Sequence, residues 1–487
     1  MLFNSYGFLF FFLPVVLGGF YFASRYGGKY GAGWLVFASL FFYGYWDTKY
    51  LLLLLLSIVF NFFMGQRICR AAASGGGRKN YLVAAIVANL LALAYFKYAN
   101  FFLENVLAGR SVHLDIVLPL GISFYTFTQI AYLVDAYSKR ADEKNFYHYT
   151  LFVTFFPHLI AGPVLHHKDM MPQFARSQTY EVNWAHLASG LILFSAGLAK
   201  KLMFADEFAP YVAAVFDAAG NNAVMLTIYE AWAVALAYTL QIYFDFSGYT
   251  DMALGLALMF NIKLPRNFDS PYKATSIINF WRRWHITLST FLRDYLYISL
   301  GGNRKGVLRR YANLFATMLL GGMWHGAGWT FIVWGALHGL YLVVNHLWRT
   351  ALLGGRQSMV PRWFSGSVCW LLTFVAVVIA WVIFRAKDMP EAIKILQAMF
   401  GIAYHPIALQ DVLHGHLLVA TELPGHELAR LALLGLFWVL ILPNSNRLQY
   451  LDKGRLSALL QALIVGALLF FSVERFGRYS PFLYFQF

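Results

Sequence analysis

Leu319–Gly335, LLGGMWHGAGWTFIVWG, holds one ionisable side chain, His325, in an otherwise apolar and glycine-rich run. Whether such a run lies in a soluble core or a bilayer decides the fold. Of 487 residues, 60% are hydrophobic and 13% charged, against roughly 25% charged in ordinary soluble domains. Length alone suggests about three soluble domains. The composition argues instead for one integral membrane body.

Working outward from His325, apolar stretches recur along the whole chain, from Phe8–Phe22 to Leu456–Phe471. A helix needs about 20 mostly apolar residues to cross the hydrocarbon core. Several stretches here, such as Trp34–Tyr45, Ile116–Val134, Ala312–Trp324 and Leu431–Leu442, are shorter than that. Short pieces can be re-entrant where they are buried in protein. The expected fold is an all-α polytopic membrane protein with about 11–13 transmembrane or re-entrant helices. The first apolar run has no cationic segment before it and is followed by Arg25 and Lys29. It therefore reads as a retained helix, not a signal peptide, with its C-terminal side cytoplasmic.

Net charge is +15, from 38 basic and 23 acidic residues. Clusters such as Gln66–Asn80 and Gly301–Arg310 read as cytoplasmic loops. The same excess would also attract an anionic ligand. Nucleic acid is excluded as a partner, because no soluble basic domain exists to hold it. Cys69, placed in a loop, and the distant Cys369 make neither a disulfide nor a metal pattern. His405, His414, His416 and His426 share a polar stretch without recurrent ligand spacing, so no metal is expected.

The chemistry concentrates between Asp245 and His338, where ionisable residues interrupt apolar spans. Such residues are costly at membrane depth and by default mark function. In QIYFDFSGYTDMALGLAL, Asp245 and Asp251 flank Ser247-Gly248, which reads as a helix break. The aspartates either line a buried cavity or cap the broken ends. In NFWRRWHITLSTFLRDYLYISLGGNR, a single helix would place Trp281, His285 and Ser289 on one face. Its arginines either anchor it at the interface or hold phosphates. Around His325, Gly321, Gly322, Gly326 and Gly328 are expected to loosen the helix so that its imidazole faces a cavity. His338 is a further candidate, although 13 residues is not a same-face spacing. No familiar catalytic triad or nucleotide fingerprint occurs. A histidine acting alone suits acyl transfer from an activated thioester, because it need only take a proton from the attacking hydroxyl.

YFKYANFF (Tyr95–Phe102), LPLGISFYTF (Leu118–Phe127), FFPHLIAGPVL (Phe155–Leu165), YFDFSGYTDMALGLALM, FWRRWHITLSTFLRDYLYISLGGNR, LGGMWHGAGW and the terminal SPFLYFQF resemble the membrane-bound O-acyltransferase family. The likeness is to its bacterial polysaccharide branch, and it runs the length of the chain. It implies one membrane domain, with N-terminal helices in 1–110, a catalytic core in 111–350 and C-terminal helices in 351–487. It implies a central tunnel in which His325 is the catalytic base and His285 the second signature residue. It further implies a cytoplasmic acetyl-coenzyme A donor, a periplasmic acetyltransferase-type partner and an exopolysaccharide acceptor such as alginate or cellulose. On this reading Arg282, Arg283 and Arg304 meet the donor phosphates. Asp245, Ser247, Asp251, Trp281, Trp284 and Trp324 shape the channel. The rival readings are a transporter of an anionic substrate and a polysaccharide-export scaffold without chemistry.

Overall fold

The computed structural model describes residues 1–74, 76–106, 114–160, 162–221, 223–351, 362–406, 423–450, 455–476 and 482–483. Every regular element among them is helical. Among the described residues, six helical stretches are long and apolar enough to cross a membrane: Gly7–Ser24, Thr48–Ala71, Arg78–Asn105, Trp184–Gly220, Trp329–Thr350 and Gly366–Arg385. The chain is thus an all-α, multi-pass membrane protein. Gly28–Gly44, Ile122–Tyr137 and Gly425–Leu440 are helices of 17, 16 and 16 residues, shorter than a full crossing. His414, His416 and most of SPFLYFQF lie outside the described residues.

Two segments read as cytoplasmic loops are corrected. Gln66–Ser74 continues the helix Thr48–Ser74, and the next helix starts at Arg78, so Cys69 is helical. Leucine-like propensity and the absence of proline carry the helix on beyond the apolar stretch. Val307–Arg310 likewise begins the helix Val307–His325. Conversely, the stretch expected to be helical from Ile116 starts its helix only at Ile122. Pro119 precedes it, and Gly121 sits in the left-handed region at φ +71. A Cβ at Gly121 would lie 3.0 Å from the Leu159 carbonyl oxygen.

The chain groups into two compact units. One comprises Met1–Ala199, Gly248–Arg266 and Ser445–Gln486; the other is built mainly from Lys200–Ser247 and Asn267–Asn444. The helix Ile228–Met259 runs without interruption through Ser247 and Gly248. The expected break there does not exist, and the aspartates cap no helix end. Gly248 serves packing instead. Within the first unit, Gly190 lies against Gly255, and Gly197 against the backbone of Gly248 and Met252. A Cβ at Gly190 would fall 2.6 Å from the Gly255 carbonyl oxygen. Glycines spaced by seven on both helices let two backbones touch, as small residues do between membrane helices.

The second unit repeats the device beside His325. The helix Val307–His325 includes Gly321 and Gly322 without loosening, and ends only at Gly326. Gly322 abuts Gly335 of the helix Trp329–Ala351, where an added Cβ would stand 2.8 Å from the Gly335 Cα. Gly322 therefore lets the two helices meet, Gly321 faces the Leu292 side chain, and Gly326 and Gly328 make the turn between the helices. Gly322→Ala should part the two helices, at a cost of about 1–3 kcal/mol from overpacking. Gly366→Ala, with nothing within 4 Å of the added carbon, is its control. Thermal unfolding in detergent compares them, and equal midpoints would contradict this packing.

Candidate active site

His285 stands at the start of a helix instead of lying inside one. Ile277–Trp281 stops after five residues, and a new helix, Ile286–Phe291, starts with His285 as its N-cap. The His285 backbone is left-handed, at φ 43 and ψ 53. This overturns the single helical face expected for Trp281, His285 and Ser289. A non-glycine residue there is strained by about 1–3 kcal/mol, and such strain clusters at functional sites.

Asn267 holds the conformation in place. Its backbone carbonyl accepts from the Ile286 N–H at 2.9 Å. Its side-chain oxygen accepts from the Thr287 N–H at 3.3 Å and the Thr287 hydroxyl at 2.9 Å, and meets His285 Nδ1 at 3.1 Å. The Thr287 N–H can only donate, so the atom it meets is the amide oxygen. His285 Nδ1 must then carry the hydrogen, which places the imidazole lone pair on Nε2. Burial pushes the His285 pKa down to about 3, so the ring is neutral at physiological pH. Asn267 was not singled out in the sequence. Its position in the polar RNFDSP stretch was the available signal.

His325 is the last residue of its helix and is 5% exposed. Its ring lies 5.0 Å from Trp324, 5.1 Å from Trp334 and 5.3 Å from Phe384. Trp324 in turn stands 6.3 Å from His285. Trp334 stands 4.8 Å from His338, and Trp284 lies 4.9 Å from Trp381, which stacks on Trp334 at 5.7 Å. One stack of rings therefore joins His285, His325, His338, Trp281, Trp284 and Trp324. Although 13 residues separate His325 from His338, the Gly326–Gly328 turn folds their two helices back on each other.

Beside this stack is a cavity of about 510 Å³. Trp281, Arg282, Arg293, Tyr297, Arg310 and His346 are among its lining residues. Arg310 donates to His346 Nδ1 at 2.9 Å, and Arg293 is held by its neighbour Asp294 at 2.6 Å. Three guanidiniums beside apolar walls suit a ligand that joins phosphates to a less polar arm. Trp281 belongs to both regions, since its indole N–H also donates to His338 Nδ1 at 3.3 Å. Of the three arginines singled out in the sequence, only Arg282 lines the cavity. Arg283 donates to the Asp269 carbonyl at 3.2 Å, and Arg304 is exposed in the turn before Val307. Arg310 and His346, 36 residues apart, were missed because only the folded helices bring them together.

The remaining polar residues are placed elsewhere. Asp245 accepts from Lys201 at 2.6 Å, and Lys201 also meets Asp206 at 2.7 Å. Asp251 belongs to the other unit and accepts from the Ser445 hydroxyl at 2.6 Å. Ser247 is buried, and its hydroxyl has no hydrogen-bond partner among the described residues.

The sequence profile of the membrane-bound O-acyltransferase family matches residues 40–384. The chain is 45% identical over 432 residues to a peptidoglycan O-acetyltransferase of Helicobacter pylori, covering 82% of this chain and 80% of that one. It is 40% identical over 511 residues to the probable alginate O-acetylase AlgI of Pseudomonas putida, covering all of both chains. A teichoic acid D-alanyltransferase of Bacillus subtilis is 27% identical over 266 residues, covering 53% of this chain and 66% of that one.

Proposed function

Because this chain belongs to the membrane-bound O-acyltransferase family, we propose that it takes acetyl groups from acetyl-coenzyme A at the cytoplasmic face of the bacterial inner membrane. It passes them on for O-acetylation of an exported polysaccharide, through a periplasmic acetyltransferase-type partner. Relatives named for alginate and for peptidoglycan acetylation support a polysaccharide as the final acceptor.

The observation that carries this reading is the arginine-lined cavity joined to the histidine stack. Trp334, His338, Leu342 and His346 recur every four residues on one helix, so they form one stripe. From His346 in the cavity to Trp334 beside His325 the stripe rises about 18 Å, at 1.5 Å per residue. A donor with its phosphates at Arg282, Arg293 and Arg310 would lay a long thin arm along that stripe and bring its thioester to His325. His325 takes the proton of the acceptor hydroxyl as oxygen attacks the acyl carbon. The proton then passes to the thiolate as the carbon–sulfur bond breaks. His285, fixed by Asn267, orients the acceptor or the thioester. Pre-positioning of this kind lowers the barrier, because the encounter no longer has to be found by diffusion.

The test is donor affinity. Each charge-assisted phosphate contact is worth roughly 1.5–3 kcal/mol. The Arg282→Gln/Arg310→Gln pair should therefore weaken acetyl-coenzyme A binding at least about tenfold per contact, with a smaller change in turnover. Arg283→Gln and Arg304→Gln should leave affinity near wild type. Equal losses in both pairs would remove the cavity from donor recognition.

A further inference from the structure

His338 lies 13 residues beyond His325 and is fully buried. The indole N–H of Trp281 donates to its Nδ1. An indole nitrogen is a donor only, so Nδ1 must supply the lone pair and the ring hydrogen sits on Nε2. That Nε2–H meets no hydrogen-bond partner among the described residues. The same holds for the indole N–H of Trp334, itself 1% exposed. The His325 and His338 rings lie 5.1 and 4.8 Å from the Trp334 ring. Other aromatic rings also pack on His338, with Tyr341 at 5.7 Å and Phe280 stacked at 6.3 Å.

Buried N–H donors without partners are rare, because desolvation without a replacement bond is costly. These two lie on rings in contact with each other, and the Trp334 ring also lies against the proposed base, so the pair calls for an acceptor that arrives only with substrate. We infer that the Nε2–H of His338 and the Nε1–H of Trp334 receive the acyl carbonyl oxygen of the thioester and hold the oxyanion formed on attack. The inference deepens the acyl-transfer reading and rests on it. In the step, the acceptor oxygen bonds to the acyl carbon and its proton goes to His325. The carbonyl π pair moves onto oxygen, where the two N–H groups donate to it. The pair returns as the carbon–sulfur bond breaks, and the thiolate leaves with the proton from His325. The two donors are fixed beforehand and change no protonation state, so they need no reorganisation as charge develops. Trp281 is a positioning residue here. It sets which nitrogen of His338 carries the hydrogen, while its own ring forms a wall of the donor cavity.

His338→Phe and Trp334→Phe keep a ring in the stack and remove one donor each. In the full-length protein in detergent or liposomes, either should lower kcat about 10²–10³-fold, as loss of one oxyanion donor does. The KM for acetyl-coenzyme A should stay near wild type, because the contact strengthens only as charge forms. Trp281→Phe lets His338 adopt either tautomer and should cost kcat less. Adding Trp281→Phe to His338→Phe should cost nothing more, since a tautomer has no meaning without the imidazole. A His338→Phe protein with near-wild-type kcat overturns the inference, and so does one whose defect lies entirely in KM. Additive losses in the Trp281/His338 pair overturn the tautomer role. Polymer acetylation in cells carrying each variant is read alongside, because it does not depend on the donor's identity. If the purified wild type ignores acetyl-coenzyme A, the donor assignment fails. His338 is then judged in cells, where normal acetylation by His338→Phe refutes it.

Discussion

Alanine in place of His325 is expected to lower acetyl transfer by about 10²–10⁴-fold, the usual contribution of a general base. The protein should still insert and accumulate. The imidazole sits at a helix end against Trp324, Trp334 and Phe384, and Trp334 and Phe384 also pack on other rings. Trp334 lies 5.1 Å from Phe384 and 5.7 Å from Trp381. Deleting the imidazole thus removes a base from a cage that has other means of support. Its backbone conformation is ordinary helix, unlike that of His285, so alanine introduces no strain there. Polymer acetylation, normalised to the amount of protein in membranes, is the measurement. Wild-type acetylation by a well-expressed His325→Ala chain would remove His325 from the chemistry and leave a transporter or scaffold as the reading.

Lys201→Met should be the most destabilising change outside the histidine stack. Lys201 and Asp245 are each 2% exposed on their side chains, and Asp206 is 11% exposed. A one-residue-longer turn at Lys201–Ala205, a π-helical segment, inserts the cation at this point of the chain. Removing it takes a shared cation away from two buried carboxylates, which costs about 3–5 kcal/mol. Asp245→Asn in the same chain should restore part of that loss, because one of the two buried carboxylate charges goes with it. Lys387→Met is the comparison. Its ion pair with Asp217 at 2.7 Å is 64% and 60% exposed, and such a pair contributes at most about 1 kcal/mol. Melting temperatures in detergent separate the two cases. If Lys201→Met melts no lower than Lys387→Met, the buried triad does not hold this unit together.

Class and chemistry were legible before any coordinates. The proportion of apolar residues and the scarcity of charge dictate membrane helices, because burial of apolar surface and satisfaction of backbone groups in lipid are local demands. The window from Asp245 to His338 stood out for the same reason, since each ionisable residue there carries a desolvation cost that can be read one position at a time. His285 and His325 were singled out on that ground. Glycines were not interpretable in the same way. Gly248 and Gly322 looked like helix breakers, yet both lie in continuous helices and let a neighbouring backbone approach. A missing side chain in sequence does not say whether solvent, ligand or another helix fills the space.

Tertiary structure alone decided who partners whom. Asn267 fixes the His285 tautomer across 18 residues, Trp281 fixes that of His338 across 57, and Lys201 claims Asp245 across 44. Arg310 reached the cavity with His346 while Arg304, six residues earlier, stayed in the exposed turn. Hydrogen bonds and ion pairs act over about 3 Å, and a chain's periodicity has no information about which distant segments fold to within that distance. Sequence determined that buried polar groups must be satisfied, and the packing of the helices chose the atoms that satisfy them.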